Sequence, residues 1–476
     1  MPSNSLKNLP CIASIKSIAD IGASKKRHYV YLKTFHATFK GKIYAINPTI
    51  KEIPEFPDVT VHARVTDIPD DEPVDFAFIE VPREHVIGVV KDCARKGVKL
   101  AAIFSSGFAD AGTEEGRKLQ EELARVIRDE GHGLHVIGPN GMGLYHPRLG
   151  IRWRPSLPVE HGGTGIVAQS GGFSNLLIHG LSAAGMPVST ALSIGNAMDI
   201  TALDAIAFFK DDPETSIIVA YLEGIPERSG QEFMSLLHSC KKPVILVKAG
   251  RTTNGSKAAR SHTASLVGNY AMWLEASKKA GAVLVETFED VINVAKFVTS
   301  YGVKPIKNAC MLTLSGGYGV ICSDALASHG IGMPDFSGNE RLNAALRGEI
   351  SSVGTSIGNP VDVGAFIYDV PKLETIALAV LDDSSVDGLI FEIAPLYVAF
   401  SIRPEVHLET ELPAMLGRVK QHGNKPVIVI TENIGYDSVK NDIENRLRSF
   451  KIPVFSDILH VARALGYVNR VKPKEG

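Results

Sequence analysis

The sequence predicts an α/β protein built from three consecutive doubly wound domains with mainly parallel sheets. Two observations predict this fold class. Short apolar runs alternate with longer amphipathic runs along most of the chain, which is typical of strand–helix–strand units. The length of 476 residues also exceeds what a single hydrophobic core normally organises. We therefore expect domains over residues 1–150, 160–300 and 305–470.

The composition argues against several functional classes. A net charge of −2 provides no basic surface for nucleic acid or an anionic membrane, and no apolar run approaches the ~20 residues that span a bilayer. The first residues, MPSNSLKNLP, lack the basic-then-apolar pattern of a secretory signal. The five cysteines are scattered, and no pair has metal-ligand spacing. We expect a cytoplasmic protein with reduced thiols, no metal site of its own, and neither nucleic acid nor membrane as a partner.

The first domain contains five strand-like runs, which begin at Ser17, Lys42, Asp75, Leu100 and Leu134. Helix-like segments follow the third and fourth runs, so right-handed crossovers and a Rossmann-like parallel sheet are expected. Because ligands of such sheets bind at the carboxyl ends of the strands, the turn residues there are candidate binding residues. They are Gly22, Ser24, Asn47, Pro48, Val81, Pro82, Ser105, Ser106, Gly107, Pro139 and Asn140.

The turn after the first strand departs from the dinucleotide-binding fingerprint. Gly22 is followed by Ala23 and Ser24 and then by Lys25-Lys26-Arg27, with no second or third glycine where G-x-G-x-x-G requires them. The serine hydroxyl, backbone N–H groups and the three cations can still hold a pyrophosphate. The turn therefore favours a nucleotide-like anion over an ordinary NAD domain, and a solvated basic run remains the alternative.

The second domain places two further candidate groups after predicted strands. Ser170-Gly171-Gly172 opens a helix, and the free N–H groups and positive dipole end of such a start form an anion site. Glu223 follows another apolar run and is expected at the same rim of the sheet. A carboxylate beside an imidazole orients the ring and favours its cationic or phosphorylated form. The alternative for Glu223 is a solvated loop carboxylate.

The segment from Lys248 to Gly268 has an unusual composition. It follows the apolar run 243–247 and is predicted to be a loop of small residues and cations. His262 lies in it between Ser261 and Thr263. Small neighbours let backbone N–H groups approach an anion, and the cations offset its charge, so the loop is suited to holding a phosphoryl group. An ordinary loop histidine is the alternative for His262.

The third domain begins after Lys304. Its first strand-like run leads into Ser315-Gly316-Gly317, which echoes the helix start at Ser170 and indicates a repeated fold. Residues 351–362 show too little apolar periodicity for a core element. We interpret them as a loop near a ligand or an interface, with plain turn glycines as the equal alternative.

A set of short stretches keeps one order along nearly the whole chain. They are Ile21-Gly22-Ala23-Ser24, Ile46-Asn47-Pro48, Val81-Pro82, Ser106-Gly107-Phe108, Gly138-Pro139-Asn140, Gln169-Ser170-Gly171-Gly172, Tyr221-Leu222-Glu223-Gly224, Lys248-Ala249-Gly250-Arg251, Ser261-His262-Thr263-Ala264-Ser265-Leu266 and Gly358-Asn359-Pro360-Val361-Asp362. Their order resembles the alpha part of the nucleoside-diphosphate-forming acyl-CoA synthetases, which are relatives of the succinyl-CoA synthetase alpha subunit.

This resemblance implies that the first domain binds coenzyme A. The turn from Gly22 to Arg27 would lie near the CoA phosphates, and Ser106, Pro139 and Asn140 would line the thiol end. Lys25 to Tyr29 stands where the family usually keeps glycine, and Gly141 stands where it usually has cysteine.

The resemblance also implies roles in phosphoryl transfer. His262 would be phosphorylated during turnover, and Glu223 would hydrogen-bond its ring. The helix that starts at Ser170 would direct its N-terminus at the phosphoryl group, with Ser261 and Thr263 beside it. Related enzymes convert a carboxylic acid, CoA and a nucleoside triphosphate to acyl-CoA, nucleoside diphosphate and phosphate, through an acyl phosphate and a phosphohistidine.

No stretch after Lys304 resembles an ATP-grasp domain. The resemblance therefore implies a separate ATP-grasp beta subunit in an αβ or α2β2 assembly, with ATP/ADP and Mg²⁺ bound through that partner. Two other classes stay open: a CoA-dependent acyl- or carbamoyl-transferring relative, and a regulatory CoA-binding protein without nucleotide chemistry. Trp153, flanked by Arg152 and Arg154, either meets an aromatic or anionic acyl group or packs at an interface.

Overall fold

The computed structural model describes residue 9 and residues 12–262, 269–350, 355–403 and 405–472, with the backbone alone at 258–262 and 365. It divides into two compact units, Met1–Phe288 and Glu289–Gly476. The first unit contains two six-stranded sheets and the second contains one five-stranded sheet, all mainly parallel. The predicted fold class is thus confirmed, whereas the domain bounds stay a prediction. Among the described residues, no helix is long and apolar enough to cross a membrane.

The first sheet is entirely parallel. Its strands are β1 (Ser17–Ile21), β2 (Lys42–Ile46), β3 (Thr60–His62), β4 (Phe76–Ile79), β5 (Leu100–Ile103) and β6 (His135–Ile137), and its helices are α1 (Val30–Thr38), α2 (Arg83–Lys96) and α3 (Glu114–Glu130). The strand order is β3-β2-β1-β4-β5-β6. The direction of winding therefore reverses between β1 and β4, and the crevice at such a reversal is where open α/β sheets bind ligands.

The two faces of β1 and β4 pack against different helices. One face joins α2 and α3 in a single apolar core. On the other face, the ring of Phe78 lies 4.7 Å from Tyr31 and 5.6 Å from Phe35, both on α1. Asp20 is the register partner of Phe78, and Glu80 follows two residues after it. Because side chains alternate along a strand, Asp20 and Glu80 both lie on the α1 side of the sheet.

The second sheet has one antiparallel edge strand. Its strands are β7 (Gly143–Tyr145), β8 (Thr164–Ala168), β9 (Val188–Ser193), β10 (Ile217–Leu222), β11 (Val244–Lys248) and β12 (Val283–Val285), and its helices are α4 (Gly171–Ala183), α5 (Ala202–Asp211), α6 (Gly230–Ser239), α7 (Thr253–His262) and α8 (Tyr270–Ala280). The order is β12-β11-β10-β8-β9-β7, with β7 antiparallel to β9. The predicted strand ends therefore meet at one rim.

The loop predicted after β11 is wrong over residues 253–262, where the structure forms α7. The hydroxyl of Thr252 accepts a hydrogen bond from the N–H of Gly255 at 3.1 Å, which satisfies one free donor at the helix start. Two alanines at 258–259 favour continuing the helix. Small residues are compatible with a loop as well as with a helix, and here they form a helix.

The second unit contains the third sheet. Its strands are β13 (Ala309–Thr313), β14 (Val361–Asp362), β15 (Gly388–Glu392), β16 (Val427–Ile430) and β17 (Val454–Phe455), and its helices are α9 (Phe288–Tyr301), α10 (Gly316–Ser328), α11 (Glu340–Glu349), α12 (Val370–Asp382), α13 (Pro395–Ala399), α14 (Leu408–His422), α15 (Asp437–Ser449) and α16 (Ile458–Asn469). The order is β14-β13-β15-β16-β17, all parallel. As at Ser170, the Ser315 hydroxyl caps the helix that follows the first strand.

The loop interpretation of residues 351–362 is wrong at its end. Val361 and Asp362 form β14, and Val361 is fully buried beside Leu312. Residues 351–354 lie outside the described residues. A two-residue strand is too short to show periodicity, so the sequence pattern could not identify it.

The two sheets of the first unit are joined at their carboxyl edges by backbone contacts. The N–H of Asn196, after β9, donates to the carbonyl of Pro139, after β6, at 2.9 Å. The N–H of Met198 donates to the carbonyl of Gly138 at 3.2 Å. Gly195 lies so close that a Cβ there would be 2.3 Å from the Pro139 carbonyl oxygen. Only glycine fits this contact, which fixes the position of the loop that carries Asn140.

Gly195→Ala should destabilise the first unit by about 1–3 kcal/mol more than Gly133→Ala, because overpacking adds that much. Both glycines have positive φ, +50° and +86°, so each substitution costs about 1–2 kcal/mol in backbone strain. A Cβ at Gly133, however, meets nothing within 4 Å. Urea unfolding of the full chain measures the difference, and equal losses would contradict the close contact.

Candidate functional site

A cleft of about 500 Å³ opens where the carboxyl ends of the first two sheets meet. Every residue that lines it follows a strand, since the chain enters it from β1, β4, β5, β6, β8 and β10. Its lining residues are Arg27, Val81, Pro82, Arg83, Phe104, Ser105, Ser106, Asn140, Gly141, Met142, Gln169, Ser170, Gly171, Gly172 and Glu223. We call it the inner cleft. It brings candidate residues of the first and second predicted domains into one space.

A second cleft of about 550 Å³ lies at the winding reversal of the first sheet. We call it the outer cleft. Its walls include the candidate residues Gly22, Ser24, Lys26, Arg27, Asn47, Pro48, Val81 and Pro82. Arg27, Val81 and Pro82 line both clefts, so the two clefts adjoin at these side chains. Together they form a path from the turn after β1 to the start of α4.

The basic turn after β1 is ordered by its own serine. The Ser24 hydroxyl accepts a hydrogen bond from the N–H of Lys26 at 3.2 Å and caps a short 3₁₀ helix over Lys25–Arg27. The guanidinium of Arg27 donates to Glu80 Oε2 at 3.0 Å. Lys26 and Arg27 line the outer cleft, whereas Lys25 is exposed and lines neither cleft.

Three candidates support the cleft walls in different ways. The hydroxyl of Ser105 donates to the carbonyl of Val81, which ties two strand ends together. The carbonyl of Gly107 accepts a hydrogen bond from Arg83 at 3.0 Å. Pro139 lies beneath the inner cleft and binds the second sheet through its carbonyl. Gly107 and Pro139 therefore shape the walls without lining either cleft.

Asn140 reaches the inner cleft from a left-handed backbone conformation, with φ of +58°. Its N–H donates to the Ser105 carbonyl at 3.0 Å. Its side-chain amide donates to Asn196 Oδ1 at 3.4 Å, and Asn196 in turn donates to Asp110 and Gln120 at 2.9 Å each. This chain of hydrogen bonds orients the Asn140 amide in the cleft.

Helix α4 starts at the wall of the inner cleft. The hydroxyl of Ser170 accepts a hydrogen bond from the N–H of Phe173 at 3.3 Å. Gly171 and Gly172 are the first two residues of α4, and both line the cleft. Their N–H groups lie in the first helical turn. The positive end of a 13-residue helix therefore faces the cleft, which suits an anion.

Glu223 is held by its backbone beside this helix start. Its N–H donates to Gln169 Oε1 at 2.5 Å, and the N–H of Gly224 donates to the same oxygen at 3.1 Å. The ammonium of Lys248 donates to the Glu223 carbonyl at 2.8 Å. Burial and the nearby Glu223 carboxylate raise the pKa of Tyr221 to about 12. Burial lowers the pKa of Lys248, and Glu223 opposes that shift.

The predicted phosphoryl carrier lies outside what the structure describes. The backbone at Ser261 and His262 ends α7, but their side chains are not among the described ones, and Thr263 is not a described residue. Within the described residues, no group of three or more His, Cys, Asp or Glu side chains could hold a metal ion.

Lining residues that are not among the predicted site residues include Arg83, Phe104 and Gln169. Gln169 had a usable signal because it directly follows a strand, next to Ser170. Met142 follows Gly141, at a departure from the family pattern that is expected to reshape the acyl pocket, and it lies next to Gly171 in the cleft wall.

Of the two interpretations of Trp153, the structure supports packing rather than contact with an acyl group. It is fully buried, and its indole N–H donates to Asn175 Oδ1 at 2.8 Å. Its ring meets Tyr145 with centroids 5.9 Å apart. Trp153 is therefore a core residue that lines neither cleft.

Comparison with known proteins identifies the family. A model for a CoA binding domain matches residues 16–147, and a model for a succinyl-CoA ligase like flavodoxin domain matches residues 161–298. The ADP-forming acetate–CoA ligase I subunit alpha of Pyrococcus furiosus is 35% identical over 337 residues, which cover 69% of this chain and 71% of that subunit. The chain belongs to the ADP-forming acyl-CoA synthetase family. The resemblance inferred from the motifs is thereby confirmed.

Relatives in this family differ in length. The ADP-forming acetate–CoA ligase of Methanocaldococcus jannaschii is 33% identical over 360 residues, which cover 75% of this chain but 49% of that protein. The chain therefore spans about half the length of that relative. A solved structure of the dinucleotide-forming acetyl-coenzyme A synthetase 1 of Ca. Korarchaeum cryptofilum, in complex with phosphate and ADP, matches with a TM-score of 0.80 and 28% identity, covering 96% of this chain and 95% of that one.

Gln169→Leu should speed amide hydrogen exchange in the loop that contains Glu223. The variant removes the acceptor of two N–H groups, and one hydrogen bond is worth about 1 kcal/mol, so the amides of Glu223 and Gly224 should exchange roughly fivefold faster or more. The N–H of Ala249, bonded to the Leu222 carbonyl at 2.9 Å, is the internal control and should keep its protection. Hydrogen exchange read by NMR tests this, and unchanged Glu223 and Gly224 rates would contradict the assignment.

Proposed function

We propose that this chain is the CoA-binding, phosphohistidine-carrying alpha subunit of an ADP-forming acyl-CoA synthetase. The assembled enzyme would convert a carboxylic acid, CoA and ATP to acyl-CoA, ADP and phosphate, reversibly. The observation that supports this most directly is the junction of the two clefts. It connects a cleft within the CoA-binding domain to a helix N-terminus suited to phosphate.

CoA would enter through the outer cleft. Its phosphates would meet the turn from Gly22 to Arg27, where Ser24, backbone N–H groups and the cations Lys26 and Arg27 can offset their charge. The pantetheine arm would pass between Arg27 and Val81 into the inner cleft. The thiol would then lie near Ser106 and Asn140, within reach of a group held at the start of α4.

The phosphoryl group would be held by the N–H groups of Gly171 and Gly172. In the acyl phosphate, the thiol attacks the carbonyl carbon, the C–S bond forms, and the C–O bond to phosphate breaks. Inorganic phosphate leaves. The acyl phosphate itself forms when the carboxylate oxygen attacks the phosphorus of phosphorylated His262, so that the P–O bond forms as the P–N bond breaks. Glu223 would orient that imidazole and stabilise its positive charge when phosphorylated. Ser261 and Thr263 would flank it.

The nucleotide would be handled elsewhere. This chain covers about half of the Methanocaldococcus relative, and the Pyrococcus relative is named as an alpha subunit. We therefore propose an ATP-grasp beta subunit in an αβ or α2β2 assembly, which would bind ATP/ADP and Mg²⁺. His262 would carry the phosphoryl group between that subunit and the inner cleft.

Labelling tests this proposal on the chain alone. With [³²P]phosphate and a panel of acyl-CoAs that begins with acetyl-CoA, the wild-type chain should acquire acid-labile, base-stable label, and His262→Asn should acquire none. His238→Asn, at an exposed histidine near the end of α6, is the matched control and should label fully.

Two results would decide against the proposal. Full labelling of His262→Asn would exclude that residue as the carrier. CoA binding without label from any acyl-CoA would favour a CoA-dependent transferase or a regulatory CoA-binding protein.

Ser170→Ala should weaken the same labelling. Loss of the N-cap costs about 1 kcal/mol of helix stability and loosens the N–H groups that would hold the phosphoryl group. We expect the labelling rate to fall by roughly fivefold or more. The matched control is Ser315→Ala, which removes the same cap from α10 and should leave the rate unchanged. Equal effects of the two variants would contradict a role for the α4 start.

A further inference from the structure

A pair of buried carboxyl groups lies behind the cation that lines both clefts. Asp20 is fully buried in β1, and Glu80, after β4, is 4% exposed. Glu80 Oε2 accepts the hydrogen bond from Arg27, whose side chain is half exposed. Glu80 therefore bonds to the guanidinium, and the fully buried Asp20 lies beside Glu80.

Two buried carboxylates and one cation cannot all stay ionised at low cost. Burial, and after it the negative charge of Glu80, raises the pKa of Asp20 well above its usual range, and the Leu32 amide at the start of α1 opposes this. Burial raises the pKa of Glu80 to about 7, and the charge of Arg27 opposes that rise. Burial thus favours the neutral form of both carboxyl groups, and Arg27 favours the ionised form of Glu80.

The other charged groups around the pair do not change this balance. Burial, then the charge of Glu80, raises the pKa of Tyr31 to about 12, so this phenol stays neutral. The charges of Arg154 and Arg27 oppose this rise in the pKa of Tyr31. Arg27 is thus the cation that both touches Glu80 and lines the clefts, among the described residues.

We propose that Asp20 and Glu80 are positioning residues that hold Arg27 at the junction of the two clefts, and that an anionic group of CoA displaces Glu80 from Arg27 while Glu80 takes up a proton from solvent. The identity of the ligand rests on the proposed function. Guanidinium binds phosphate oxygens at least as well as carboxylate, so the exchange preserves the hydrogen bonds of Arg27. Glu80, left without its cation in a buried site, becomes neutral because an unpaired buried charge costs more than binding a proton near pH 7.

The sign of the pH dependence follows from this exchange. Binding raises the pKa of Glu80 from its value of about 7 in the free protein. Below that pH Glu80 is already protonated, and the affinity for CoA should not depend on its titration. Above it, each binding event takes up a proton, and the affinity should fall by up to about tenfold per pH unit.

Calorimetry of the full chain with CoA, from pH 6 to 8.5 in buffers of different ionisation enthalpy, measures both quantities. We expect wild type to take up more protons than Glu80→Gln at pH 7.5–8, because glutamine cannot titrate. The titration of CoA itself is common to both proteins and cancels in the difference. Asp20→Asn should keep the uptake, since its amide replaces the neutral donor beside Glu80.

A matched control is Glu130→Gln, which changes an exposed carboxylate that pairs with Lys91 and should retain wild-type uptake. Arg27→Gln, at a half-exposed position, should bind CoA more weakly and lose the extra uptake, and it provides the comparison if Glu80→Gln does not fold. Equal proton uptake in wild type, Glu80→Gln and Arg27→Gln would overturn the exchange while leaving CoA binding intact. Absence of CoA binding by wild type at every pH would instead overturn the proposed function.

Discussion

The site depends on the backbone contact between the loops that follow β6 and β9. Two parallel sheets each present a rim of strand ends, but the rims form a single cleft only where the chain holds them together. The hydrogen bonds from Asn196 and Met198 to the loop at Gly138 and Pro139 do this, and the missing side chain at Gly195 allows the approach. Asn140 of one sheet and Ser170 of the other thereby line the same space.

The charged groups along the two clefts are held in place by buried neighbours. At the inner end, a helix N-terminus and a backbone-anchored glutamate face each other across a space lined by Gln169. At the junction, Arg27 is restrained by a carboxylate that is itself withdrawn from water. In both places the structure holds polar groups in fixed positions before any ligand arrives, which reduces the reorganisation that binding requires.

Much of this could be predicted from sequence because parallel sheets place their carboxyl ends at one edge. That rule was enough to select Ser170, Glu223 and Asn140, which lie in one cleft. It could not identify Asp20, which looks like one polar residue inside an apolar strand. Its importance appears only when register places it on the same face as Glu80.

Other features escaped because their causes are tertiary or very local. The small residues of the α7 segment are compatible with a loop as well as with a helix, and the Thr252 cap favours the helix. Strand β14 forms by pairing with β13 and has too few residues to show a period. Neither a single capping residue nor a distant strand partner leaves a periodic pattern in the sequence.

The hydrogen bond from Ser105 to the Val81 carbonyl removes one possible hydrogen-bond donor from the inner cleft. A hydroxyl has one proton, and here the main chain accepts it, so Ser105 presents only lone pairs to a visitor. A ligand N–H or S–H can donate a hydrogen bond to Ser105 Oγ. A phosphate oxygen or a thiolate cannot, because it would place one acceptor against another. At this wall, the cleft discriminates by the direction of the hydrogen bond as well as by charge.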